Sequence, residues 1–173
     1  MESKNKRNQI LAARWGLYFL VLLAAAALQS TPGFLRIGSW KPFLILGVCL
    51  AVSVQEDEFS GALFSAVGGM LWDLTAGRTI GSFAIVMLFI GFFRSIMVQL
   101  YLKRAYANIY LLNAGGGLIA ISTDFLFGYL MTGYPRPLYH YFYVLLPEVL
   151  LSAGLALVSM RVIHVIAKRL SLP

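Results

Sequence analysis

Apolar residues fill this chain in long runs, and polar residues gather in the short joints between them. The pattern predicts six helices, at about 15–34, 38–54, 59–77, 80–101, 108–131 and 138–163. Runs of roughly 17–25 residues suit one crossing of a bilayer's hydrocarbon at about 1.5 Å per residue. The predicted fold class is therefore all-α: a polytopic membrane protein, a six-transmembrane-helix bundle in a single integral membrane domain, 1–173. The second run, "WKPFLILGVCLAVSV", is short, and it has to tilt, extend into "FLRIGS" or thin the bilayer to cross. The opening "MESKNKRNQILAARWGLYFLVLLAAAALQS" has the basic front and apolar middle of a signal peptide. Its apolar stretch continues from Trp15 to about Leu28 and more runs follow, so it reads as an uncleaved first crossing.

Composition agrees with the pattern. Of 173 residues 60% are hydrophobic and 12% charged, and the mean hydropathy is +0.79, well outside the range of soluble domains. Net charge is +7, but the bases sit at the ends of apolar runs, where they orient helices and meet anionic lipid rather than nucleic acid. With six crossings, Lys4, Lys6, Arg7, Arg14, Lys103, Arg104, Lys168 and Arg169 all face one side, and Arg36, Lys41, Arg78 and Arg136 the other. The larger set marks the cytoplasmic face and puts both termini there. The lone Cys49 lies in an apolar run and reads as a packed small residue.

Polar residues inside the runs are the candidates for function. In "EFSGALFSAVGGMLWDLTAGRTIG", Gly61, Ser65, Gly69 and Asp73 recur four apart. Ser65, Gly69 and Asp73 share one helix face, small and ending in a carboxylate, which should meet another helix rather than lipid. Asp73 reads as closing a helix-end turn or an interhelical contact, with a ligand or partner contact, or proton coupling, as the alternatives. Asp124 in "AISTDFLFG" falls in the same outer half, beside Ser122 and Thr123, which can bond the preceding turn. Glu148 is the deepest acid, and Pro147 before it frees a carbonyl one turn earlier and kinks the helix. Arg94 reads as snorkelling to the inner surface. Gly115, Gly116 and Gly117 allow a close helix approach or a bend. Tyr134, Tyr139, Tyr141 and Tyr143 suit the headgroup belt. His140 and His164 lie towards opposite faces, so no metal cluster is expected. No phosphate loop, HExxH, cysteine pair or nucleophile elbow occurs, so neither an enzyme nor a cofactor is expected.

The residues "FSGALFSAVGGMLWDLTAGRTIGSFAI" resemble the signature region of the MreD family, bacterial rod shape-determining membrane proteins. The matching positions are Gly61, Gly68, Gly69, Asp73, Gly77 and Gly81. The chain departs from the family in having Ser65 and Gly69 where glycine and leucine are commoner, and in its triple glycine. The resemblance implies a non-enzymatic inner-membrane partner of the cell-elongation complex. Its companions would be an MreC-like bitopic protein, an MreB-like filament and the transglycosylase and transpeptidase of lateral wall synthesis. It also implies a fold similar to the S components of energy-coupling-factor transporters, which brings in the rival function: binding a vitamin or metabolite in an outward cavity. Trp72, Asp73, Asp124, Tyr134 and Tyr139 would then line that cavity.

Overall fold

The computed structural model describes residues 2–31, 33, 40–76, 81–100, 106–127 and 137–170. Within these residues the chain forms helices and no strand. The helices are α1 (Glu2–Ser30), α2 (Leu44–Gln55), α3 (Glu58–Ala76), α4 (Ser82–Leu100) and α5 (Tyr106–Phe125). A sixth, α6, runs through Pro137–His140, a π-helical turn Tyr141–Leu145 and Leu146–Arg169. Gly77, Arg78, Lys103, Arg104, Tyr134 and Arg136 lie outside the described residues.

Three stretches are long and apolar enough to cross a membrane: Asn5–Ser30, Ser82–Leu100 and Leu138–Arg169. The chain is a membrane protein on this ground. α3 and α5 carry more small and polar residues, among them Asp73, Asn113 and the triple glycine. α2 is apolar but has only 12 residues, about 18 Å of helix against a hydrocarbon thickness of about 30 Å.

The shortness of α2 has a packing explanation. All ten residues from Ile45 to Val54 are buried, as expected of a helix apolar on every side, and α2 touches each of the other five helices. It is the axis around which the bundle is laid. Tyr18, Leu22, Phe64, Met87 and Ile90 pack with it into the main core, while Leu20, Phe59, Phe93 and Leu111 point outward. A helix that meets only protein does not need to span the lipid.

Two links order the bundle's ends. Arg14 forms an ion pair with Glu56, to which Tyr18 also donates at 2.8 Å, and Gln55 lies 3.3 Å from His164. The start of α1, the end of α2 and the end of α6 therefore share one end of the bundle. Three boundaries differ most from the sequence expectation, one being the end of α6 at Arg169 rather than near 163. α1 begins at Glu2 rather than near 15, its basic segment continuing the helix, and α2 begins at Leu44 rather than near 38. Pro42 brings no N–H to a helix start, and the N–H groups of Lys41 and Phe43 are bonded by side chains of α6.

Candidate functional site

The small-residue face of α3 is closed against α4. A Cβ built on Gly69 would lie 2.7 Å from Ala84 Cα and 2.8 Å from the Phe83 carbonyl oxygen. One built on Gly61 would lie 2.7 Å from Ser95 Oγ and 2.9 Å from Ser53 Cα. Ser65 is fully buried, its hydroxyl donating to the Gly61 carbonyl at 2.8 Å, and it occupies the space before Gly91. Gly68, one residue off the stripe, faces Cys49 of α2. Small residues on both helices let the backbones touch, as membrane helices require in the absence of a hydrophobic drive between them.

Asp73 finishes this contact. It is 1% exposed and accepts the Gly81 N–H at 2.8 Å and the Phe83 N–H at 3.1 Å through Oδ2. Backbone N–H groups at a helix start have no intrahelical partner, and a carboxylate there also meets the positive end of the helix dipole. Gly81 has φ +101°, a left-handed conformation that a glycine adopts without strain. Gly61, Ser65, Gly68, Gly69, Asp73 and Gly81 thus form one lock within the chain.

Glu148 does the same for α2. Its Oε1 accepts the Lys41 N–H at 2.8 Å, Ser152 accepts that of Phe43 at 2.7 Å, and Gln29 accepts that of Ile45 at 3.0 Å. Side chains of α1 and α6 so complete the start of α2, whose first N–H groups have no partner within the helix. Pro147 frees a carbonyl one turn earlier. It cannot donate to the carbonyl of Tyr143, and the Trp40 indole N–H bonds that oxygen instead at 2.9 Å, while the π-helical turn absorbs the mismatch.

Beside these caps lies a cavity of about 440 Å³, lined by Gln29, Lys41, Trp72, Asp124, His140 and Glu148 among others. Two of the five residues expected there, Trp72 and Asp124, line it. Asp73 does not, because its carboxylate is turned to α4. Tyr139 is 61% exposed and stacks on Tyr143 with ring centroids 4.5 Å apart; Tyr134 lies outside the described residues. Trp72 packs on Phe43 at 4.8 Å, and its buried indole N–H has no acceptor among the described residues.

Arg94 overturns the expectation of a snorkelling base. It is 3% exposed and bonds Asn113 of α5. Ser122 reaches across to the Tyr141 hydroxyl at 2.8 Å, and Thr123 bonds its own helix at Ile119. The triple glycine makes no break in α5: a Cβ on Gly116 would press on Ile90 at 3.1 Å, one on Gly117 on Val149 at 3.0 Å, and one on Gly115 would meet nothing within 4 Å.

Residues the pattern did not single out include Gln29, Lys41, Gly91, Ser95, Asn113 and Ser152. Gly91 and Ser95 carried a readable signal, a second pair of small residues four apart. Fold and site together define an all-helical membrane protein in which acidic side chains cap helix starts. No protein-family model, curated protein or solved structure matches the chain.

Proposed function

We propose that this chain is a non-enzymatic scaffold of the bacterial cell-elongation complex, acting with an MreC-like bitopic protein, an MreB-like filament and the enzymes of lateral wall synthesis, as the resemblance to the MreD family implies. In this reading all six helices are embedded in the cytoplasmic membrane, both termini face the cytoplasm, and the bundle is similar to energy-coupling-factor S components. The observation that carries it is the fate of the signature residues. Gly61, Ser65, Gly69 and Asp73 are used to join α3 to α4, so the signature residues serve helix packing. The shared end of α1 and α6 supports the placement of both termini on one side, and Lys168 and Arg169 in the last turn of α6 suit anionic lipid.

The cavity beside Glu148 favours a second reading, a substrate-binding component of a vitamin or metabolite transporter. Its volume of about 440 Å³ lies within the range of small-molecule sites. Gentle extraction from the native membrane, crosslinking and mass spectrometry separate the two. Recovery of an MreC-like protein with wall-synthesis enzymes is expected, whereas recovery of an ATPase-driven module with a bound metabolite would overturn the scaffold in favour of the transporter component.

A further inference from the structure

Arg94 is buried with one amide for company. Asn113 takes Nη1, while Nε and Nη2 have no acceptor among the described residues. These two nitrogens form one edge of the guanidinium, with parallel N–H groups that match the paired oxygens of a carboxylate or phosphate. A cation inside a membrane span is costly without such a partner.

Arg94 also lines a slot of about 700 Å³ between α4 and α5. Phe89, Phe93 and Met97 form one wall and Leu111 and Ile119 the other, all of them exposed. Gly115 opens on the same space, with nothing within 4 Å of a Cβ built there. From Val86 to Met97 the slot follows α4 for about 16 Å.

Depth decides what fits. α4 has 19 residues, about 28 Å, close to the thickness of the hydrocarbon. Arg94 is six residues from the Leu100 end, so about 9 Å inside it. A lipid phosphate belongs at the headgroup level and would have to be drawn down through that distance. A carboxylate on a transmembrane helix sits at whatever depth its sequence sets. A second copy of this chain does not supply one at that depth: Asp73, Asp124 and Glu148 lie towards the opposite end, Glu56 is paired with Arg14, Asp57 and Glu58 follow Glu56 beside Gln99 at the Leu100 end of α4, and Glu2 stands twelve residues before Arg14 on α1.

We propose that the α4–α5 slot seats a transmembrane helix of another protein, and that an Asp or Glu of that helix, level with Arg94, takes the Nε–Nη2 edge. Gly115 lets the incoming backbone come close. Both nitrogens are shielded from solvent, so the carboxylate meets them as the guanidinium turns towards the slot. The inference rests on the scaffold reading for the partner's identity, and on geometry for its chemistry.

The test uses the full chain in its native membrane, with a photoreactive phenylalanine analogue in place of Leu111 in the slot or of exposed Val158 on α6. Crosslinked peptides are identified by mass spectrometry. Crosslinks from Leu111 should fall in a transmembrane segment of another protein that contains an Asp or Glu, and those from Val158 should not. Arg94→Lys keeps the charge without the two-pronged edge, and should lower that yield about tenfold, as expected for a lost charge-assisted hydrogen bond. Arg94→Asp combined with arginine in place of the partner's acid should restore it. Crosslinks to phospholipid, to a second copy, to a segment without an acid or to nothing overturn the proposal, as does an unchanged yield in a folded Arg94→Lys variant. Should Arg94→Lys not fold, the acid content of the segment captured by the unaltered slot still decides. Capture of an acid-bearing helix from outside the elongation machinery would keep the slot and remove the scaffold reading. Co-purification of wall-synthesis proteins with a slot that captures only lipid would do the reverse.

Discussion

Gly69→Ala should cost about 3 kcal/mol of stability, and Gly115→Ala should cost nothing. The new Cβ at 69 would lie 2.7 Å from Ala84 Cα and 2.9 Å from Ala84 N. Both are backbone atoms, so no rotamer change relieves the overlap. Reaching ordinary contact near 3.4 Å requires α4 to retreat by about 0.7 Å. Overpacking of this kind costs about 1–3 kcal/mol. The retreat also carries away the Phe83 N–H, which is 3.1 Å from Asp73 Oδ2, and at about 3.8 Å that bond is lost. A bond to a charged group contributes about 1.5–3 kcal/mol, part of which Asp73 retains through Gly81, so the sum is about 3 kcal/mol.

Gly115 lies in a helix too, and its Cβ would meet nothing within 4 Å. There alanine's helix propensity acts alone, a gain of up to about 1 kcal/mol. Denaturant titration of both variants in lipid nanodiscs, followed by tryptophan fluorescence, measures the difference. Equal stabilities, or a Gly69→Ala protein as stable as the unaltered one, would refute the account of α3–α4 contact.

Asp73→Asn should lose about 1–2 kcal/mol, keeping one acceptor for the Gly81 N–H but not the charge, and Asp73→Ala should lose more, in the range of a removed helix cap whose N–H groups are left buried. Both are read by the same titration. At position 148 the comparison separates structure from chemistry. Glu148→Gln retains an oxygen for the Lys41 N–H and should change stability by less than about 1 kcal/mol, whereas Glu148→Leu strands that donor at a cost of about 1–3 kcal/mol; a Gln variant as unstable as the Leu variant would show that the charge itself is needed.

Much of this lock was legible in the sequence, and the reason is local geometry. Spacing of four residues puts Ser65, Gly69 and Asp73 on one face whatever surrounds them. The carboxylate could be assigned to a helix end because the predicted third run stops at 77, four residues beyond it. Pro147's freed carbonyl followed from covalent structure alone. What could not be read was the far side of each contact. Nothing in "WKPFLILGVC" says that Gln29, Glu148 and Ser152 converge on its N–H groups, since these come from two other helices. Arg94 reads as a base near a helix end, and only the position of α5 shows that Asn113 is there to draw it inward. The same limit applied to the cavity: Trp72 and Asp124 reach it, but the direction of Asp73 depended on where α4 begins.

A short central helix creates a demand for acceptors. α2 starts inside the bundle because it is sheathed by its neighbours, and the N–H groups at and just before its first turn have no intrahelical partner. Gln29, Glu148 and Ser152 take the N–H groups of Ile45, Lys41 and Phe43 there, and Asp73 takes those of Gly81 and Phe83 at α4, so Asp73 and Glu148 are accounted for by the fold. This weakens the cavity reading at one point, because Glu148 already holds Lys41 and the ligand would fall to Trp72, Asp124, His140 and Lys41. It strengthens the scaffold reading at another. A bundle that supplies acceptors at both of these helix starts leaves two buried donors of Arg94 without one among the described residues, beside the open slot between α4 and α5, and an acceptor from a partner seated there has a place to go.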